Sequence, residues 1–449
     1  MKIKSLYTGV VALSLITAAY ADVTVDITGA TAFRQATLNS IKGRFDASGQ
    51  PYKYAHDQAQ GGFNGATYSI WIGTFPGVAG TTTIRTSFNG SVEGIRALVD
   101  SPTHDPVYFQ SALLSDVTAA VGGAEKFSQS GATKVASQSE IAFSDVSKAA
   151  TPYSSSNLLP ASSAVGVVVF TMVASEGTPL SNITSQQFRA LFSAGFQPLS
   201  LFTGNESDNP LADEPGANAA WIFATGRNDG SGTRTTYLAE TGYGIVNPVR
   251  QYTVLTTSGN TISSIQLVPQ GGANDSDPVT AGIQPYTGQS VGNASTVWGQ
   301  DLAGNGGYSS GSTLRTHLGL TGNAVTVRDE TYADAFGEPQ KLTLVSWLSL
   351  SDAVTARTNG GVFLAFNGVK LNDIAASGST MSAADLAKVT NGAYTAWSYQ
   401  HMYRRNDLTA GDTVTVYNAI RNNLVLGSAG VPIASMLVGR ESDGSTVAP

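Results

Sequence analysis

Val165–Val173 (VGVVVFTMV) is the segment that most restricts how this chain can fold. It is a near-continuous apolar run rich in β-branched residues. As a strand it has no polar face to turn to water, so both faces must be covered. A strand of that kind belongs in the middle of a sheet with helices above and below it, which predicts an α/β architecture. The neighbouring pattern agrees, because strands repeatedly feed helices through turns of small residues. Val23–Ile27 (VTVDI) alternates like a strand, passes through Thr28-Gly29-Ala30-Thr31, and turns helical from Ala32, with Phe33, Ala36, Ile41 and Phe45 near one face. Thr81–Ser87 leads through Asn89-Gly90-Ser91 into a helix over Val92–Asp100, with Ser91 a good cap and Glu93 adding negative charge in the first turn. Glu140–Ser144 reads as a strand ending at Asp145, and Thr184–Phe192 as a helix capped at Thr184 or Ser185. Trp221–Thr225 is a strand that meets a glycine-rich turn, followed by a helix from Gly232 to about Thr241 that stops at Gly242.

The chain has 449 residues, three times the roughly 150 of an average domain, so two lobes are expected. It has no cysteine, which excludes disulfides, thiolate catalysis and cysteine-ligated metal centres. With 41% apolar residues it is not a disordered chain. Its 25 basic and 32 acidic side chains argue against a nucleic-acid partner. At the N-terminus, Lys2 and Lys4 precede an apolar stretch over Thr8–Thr17 and the small-residue site Ala19-Tyr20-Ala21. This reads as a cleavable signal peptide over 1–21, with the mature chain starting at Asp22. The apolar stretch is too short to span a bilayer comfortably, and there is no cysteine for a lipid anchor. The alternative is an ordinary buried N-terminal helix. A periplasmic or secreted protein is expected, and no cofactor.

Helix N-termini carry unpaired N–H groups and partial positive charge, so strand–turn–helix junctions are latent anion sites. The sharpest is Arg227–Thr233 (RNDGSGT). Gly226, Gly230 and Gly232 allow close backbone approach, Ser231 and Thr233 add hydroxyls, and Arg227 adds a fork suited to tetrahedral oxyanions. No Lys-Ser/Thr pair closes it, so it is not a nucleotide P-loop. A helix-capping turn with an incidental arginine fits the spacing equally well.

That stretch resembles the most diagnostic motif of the phosphate-binding proteins of phosphate-specific ABC transporters, within the type II periplasmic binding-protein superfamily. Other blocks agree in order: Ile27–Phe33 (ITGATAF), Asn89–Ile95 (NGSVEGI), Ile141–Asp145 (IAFSD), and the lobe-crossing segments Val165–Val173 and Val389–Tyr403. The resemblance covers most of residues 22–435 and is strong in those short blocks. It implies a two-lobe α/β fold with central mixed sheets flanked by helices and two crossover segments. Lobe one would comprise 22–164 and 392–449, and lobe two 165–391. It further implies that phosphate is held by Thr31, Ala32, Phe33, Ser91, Asp145, Arg227, Ser231, Gly232 and Thr233, for delivery by a monomer to a membrane ABC permease. The sequence departs from the family in a shorter first turn, in Arg34 where proline often follows the phenylalanine, and in longer gaps between Thr31, Ser91 and Asp145. Insertions there and the polar loops Gly204–Asn218 and Gly271–Asp277 have no assigned role.

Asp145 has a rationale of its own. Phosphate near neutral pH carries a proton that it can donate to a carboxylate, whereas sulfate can only accept, so a carboxylate in the pocket repels sulfate. A strand-end aspartate capping the next helix is the plain alternative, as helix capping is for Ser91. Gly307–Gly311 (GYSSG) fits the G-x-S-x-G pattern of serine hydrolases, but the polar, glycine-rich Gly299–Gly306 before it is not the buried strand such an elbow needs. The histidines at 56, 104, 317 and 401 lack ligand spacing, and the acidic loop Asn205–Asp213 lacks the spacing of a calcium cage. Two rival functions remain: a secreted oxyanion scavenger without a transporter, and a secreted phosphomonoesterase. The latter calls for two metals or a covalent nucleophile, neither of which the sequence displays.

Overall fold

The computed structural model describes residues 22–161, 163–268, 304–329, 331–332, 336, 338–371, 381–424, 426 and 430–449, together with the strand pieces Ile283–Gln284, Gln289–Ser290 and Val297–Trp298. The leader at 1–21 and the loop at Gly271–Asp277 lie outside the described residues.

The long apolar run forms the strand Ala164–Ala174, buried along nearly its whole length. It lies inside a 14-stranded sheet. From one edge, the strands run Phe196–Pro198, Trp221–Ala224, Leu342–Ser349, Ala164–Ala174, Trp397–Arg404, Ile141–Ser144, Val23–Gly29, Thr82–Ser87, Tyr68–Gly73, Tyr52–His56 and Ala124–Lys126. Val23–Gly29 pairs in parallel with Thr82–Ser87 and Ile141–Ser144, and Trp221–Ala224 pairs in parallel with Leu342–Ser349. Between these two parallel blocks, every partner of Ala164–Ala174 runs antiparallel to it. Its first half pairs with Trp397–His401 as far as Val169, and its second half, from Phe170 onward, pairs with Val345–Ser349. The sheet is thus mixed, and one strand is common to both halves.

Two cores follow from this. The first packs Val25, Ile27, Phe33, Ile41, Phe45, Trp71 and Phe143 against Met402, Val416 and Ile420 from the returning end of the chain. The second packs Phe170, Met172, Phe188, Phe223, Tyr237, Leu344 and Trp347. Helices cover both, and the expected α/β architecture, a mixed sheet flanked by helices, is the one observed.

The strand–turn–helix units fall close to where the pattern puts them. The helices are Arg34–Ala47, Ser91–Val99, Ser185–Ala194 and Gly232–Glu240. Thr184 caps the third in a full capping box with Gln187. Ser91–Val99 is seated tightly on the first strand: a Cβ on Gly94 would lie 2.6 Å from the Cα of Gly29 and 3.3 Å from the Cβ of Ala142. Alanine at 94 gains about 1 kcal/mol of helix propensity but loses about 1–3 kcal/mol to overpacking against backbone that cannot give way. Gly94→Ala is therefore expected to lower the unfolding free energy in denaturant titration. A rise would mean that the helix is free to lift off the strand.

Candidate functional site

Four strand ends bring their turns together. At the first, Ala30 donates its N–H to Phe143 O at 2.7 Å, and the helix Arg34–Ala47 begins after the turn Thr31–Phe33. The Phe33 ring stacks on Phe143 with centroids 4.9 Å apart, and its N–H is donated to Ala30 O at 3.2 Å. Phe33 thereby anchors the turn to the core, while Thr31 and Ala32 line a cavity beside it.

The helix Ser91–Val99 begins differently from the expectation of a serine cap. Gly90 occupies the capping position and offers no side chain. The carbonyl of Gly230, from the Arg227–Thr233 turn, instead accepts the N–H of Val92 at 3.1 Å and of Glu93 at 3.4 Å. Ser91 is the first helical residue, and its hydroxyl turns to Asp145. It donates to Asp145 Oδ2 at 3.2 Å and accepts the Asp145 N–H at 3.1 Å.

Asp145 is only 2% exposed, and its Oδ1 is a buried acceptor with no hydrogen-bond partner among the described residues. Burial pushes its carboxyl up to about 7, and the Ser91 hydroxyl and the positive charge of Arg227 pull the other way. A buried carboxylate oxygen left unpaired costs free energy unless something donates to it.

Arg227 is likewise 2% exposed. Its Nε donates to Tyr308 O at 3.0 Å, its Nη2 to Ser309 O at 2.8 Å, and its Nη1 to Thr31 Oγ1 at 3.4 Å. Burial holds its guanidinium down to about 10, opposed by Asp352 and Asp145. The segment that holds it, Gly307–Ser309, runs alongside: Tyr308 donates to Gly226 O at 2.9 Å, and Asn228 to Tyr308 O at 3.1 Å. Ser231 caps the helix Gly232–Glu240 through the Arg234 N–H. Gly232 packs directly on the opposite wall, where a Cβ would lie 2.3 Å from Ser91 Oγ and 3.3 Å from Asp145 Cβ. Thr233, at the second helical position, is buried too.

Of the nine residues singled out in the sequence, Ser91, Asp145 and Gly232 are in direct apposition and Thr31 is bonded to Arg227. Phe33 faces away into the core. The sequence reading missed the two carbonyls of Tyr308 and Ser309, and Asp352. A signal for the last was present: Leu342–Ser349 is another apolar strand running through serine into a helix, Leu350–Thr358, with Asp352 in its first turn. The G-x-S-x-G segment serves here as the clamp on Arg227. Its nearest histidine, His317, bonds the Tyr308 hydroxyl at 2.7 Å and is driven down to about 4 by burial. His56 meets Glu125 and His104 meets Asp100. Among the described residues no three His, Asp or Glu side chains group closely enough to hold a metal ion.

No family model matches the chain, and no curated protein matches it. Solved structures similar to it include a protein from Clostridium perfringens described as a phosphate ABC transporter substrate-binding protein with bound phosphate. That likeness is 11% identical, covers 91% of this chain and 99% of that chain, and has a TM-score of 0.41. An ABC-type phosphate transport receptor from Vibrio cholerae is 12% identical over 89% of this chain and 93% of that chain, with a TM-score of 0.36. A phosphate-binding protein from Stenotrophomonas maltophilia is 11% identical over 91% and 90%, with a TM-score of 0.33. At this level of likeness, what the site does rests on its own residues.

The shifted carboxyl has a consequence for stability. An ordinary aspartate near 3.8 is deprotonated in the unfolded chain between about 4 and 7, where folded Asp145 still holds its proton. The folded state then binds more protons, so this contribution is fully present below about 4 and is lost as pH rises through about 7. Glu140 and Asp443 act in the same direction, and His317 and His401 oppositely. The comparison with Asp145→Asn cancels those. The melting temperature of the unmutated protein minus that of Asp145→Asn is expected to fall between pH 5 and pH 8. A flat difference would mean that Asp145 is not desolvated.

Proposed function

We propose that the chain is an extracytoplasmic phosphate-binding protein that captures inorganic phosphate between its lobes, 22–164 with 392–449 and 165–391, and passes it as a monomer to a membrane ABC permease. The observation that carries this reading is the buried Asp145 with its unpartnered Oδ1, facing the same centre as the buried Arg227. A ligand suited to both must be an anion that still has a proton to give, and phosphate near neutral pH is such an anion. Its P–OH donates to Asp145 Oδ1. Its other oxygens accept from Arg227, from the hydroxyls of Thr31, Ser231 and Thr233, and from the N–H groups at Ala32 and at the start of the helix Gly232–Glu240, while the Ser91 hydroxyl, when released from Asp145, can turn to the ligand. Phe33 supports the Thr31–Ala32 turn from the core.

Binding needs no bond to break, so the reading is of a binding protein and not an enzyme. Ligand contacts on both sides of the cleft favour the closed form over the open one, because a ligand shifts a conformational equilibrium through its differential affinity for the two states. Arg227 and Ser231–Thr233 lie on one side; Thr31, Ser91 and Asp145 lie on the other.

Isothermal titration at pH 8 is expected to show tight phosphate binding and much weaker sulfate binding. As pH falls through about 7, Asp145 gains a proton and can donate, so sulfate affinity should rise. Asp145→Asn should narrow the gap at pH 8 for the same reason. Equal affinity for both anions in the unmutated protein at pH 8, or binding of neither, would overturn the reading.

Arg227→Ala removes one partner of a buried charge interaction, which typically costs about 2–5 kcal/mol of binding. Phosphate affinity should collapse while circular dichroism stays native, and Arg227→Lys should restore it only in part because the fork is lost. Undiminished affinity in the alanine variant would show that Arg227 plays no part in the pocket.

A further inference from the structure

A cationic cavity adjoins the site, and its Arg34 is not among the residues assigned to phosphate above. It is a cavity of about 230 Å³ whose lining includes Thr31, Arg34, Ser310, Gly311, Arg315 and Asp352. It shares a wall with Arg227, since Thr31 Oγ1 accepts from Arg227 Nη1 at 3.4 Å and a Cβ on Gly311 would lie 3.7 Å from the same nitrogen. The charges in it do not cancel. Arg315 Nη1 pairs with Asp352 Oδ1 at 2.7 Å, and Asp352 Oδ2 also accepts from Ser349 Oγ at 3.2 Å, so that carboxylate is already occupied. Arg34 donates only a long bond of 3.4 Å to Thr67 Oγ1, and no carboxylate lies within ion-pair distance of it among the described residues. Burial weighs on its charge, which Asp352 and Asp57 help to hold. A guanidinium without a carboxylate partner, at the wall of an anion site, is placed for a second anionic group on the same ligand. No aromatic side chain lines the cavity, so nothing there would stack on a nucleobase.

We propose that the site also takes condensed phosphates, of which inorganic pyrophosphate is the simplest: one phosphoryl group binds at Asp145 and Arg227, and the second enters the cavity at Arg34. This rests on the phosphate reading of the inner site and extends it. Pyrophosphate keeps a protonated oxygen near neutral pH, so its inner phosphoryl can still donate to Asp145. Its outer phosphoryl supplies the charge that Arg34 lacks. The outer contact is partly open to solvent and is screened by salt more than the inner one.

The test is titration of the full chain with phosphate and, separately, with pyrophosphate at low ionic strength. Both are expected to bind one to one and to compete. Arg34→Ala should weaken pyrophosphate about tenfold and change phosphate affinity less than about twofold. Arg34→Gln, which keeps most of the side-chain volume, should do the same, and retained phosphate binding certifies that both variants are folded. Phosphate binding without pyrophosphate binding overturns this proposal alone, as does an equal loss of both ligands in the two variants. Binding of neither anion by the unmutated protein overturns the phosphate reading, and this proposal with it.

Discussion

The strand Ala164–Ala174 has to satisfy hydrogen bonds in two half-sheets at once, and the rest of the molecule is arranged around that demand. Its partners change at the boundary between Val169 and Phe170, and all of them run antiparallel to it. The blocks on either side are built from parallel pairs, which need helical crossovers and therefore place helices on their faces. Burial of the shared strand on both faces follows, and so does its composition. A charged or strongly polar residue in its interior would lie against one core or the other.

The turns at the strand ends converge on a centre that is costly to assemble. Asp145 and Arg227 are both withdrawn from water, and the shifts of both groups are dominated by burial, not by mutual attraction. Burying two opposite charges in this way is weak evidence for stability, because desolvation competes with the Coulombic gain. The clamps on Arg227 from Tyr308 and Ser309 meet that cost on one side, and the Ser91 bridge meets it for one oxygen of Asp145. The other oxygen is left unpaired, and an arrangement that leaves it so is explained by a ligand better than by folding stability.

The two sides are joined by backbone as well as by charge. With Gly90 at its cap, the helix Ser91–Val99 lacks a side-chain acceptor for its first N–H groups, and the Gly230 carbonyl takes that role from the facing turn. The same turn presses Gly232 onto Ser91 and Asp145. A larger residue at 90 or 232 would meet backbone or side-chain atoms of the facing turn, so the glycines are needed for the close approach of the two turns, beyond the shape of their own.

Local pattern determined much of this protein. The apolar run at 165–173, the alternation at 23–27 and the cap-to-glycine helix at 232–241 each carry enough short-range information to place a strand or helix, because periodicity and capping act within a few residues. Arg227 and Asp145 were legible as candidates through a family-like motif and through the chemistry of a carboxylate in an anion site. Other features depended on residues far apart in the chain. Ser91 follows a pattern that reads as a cap, yet its hydroxyl goes to Asp145, because Gly230 from the other side already fills the capping role. The segment 307–311 carries a hydrolase-like spacing, yet its carbonyls hold an arginine about eighty residues away in sequence. Arg34, Arg315 and Asp352 line one cavity only because three separate helices close on it. Such contacts depend on which groups are left unsatisfied once the helices and strands have packed, and that is settled by tertiary structure alone.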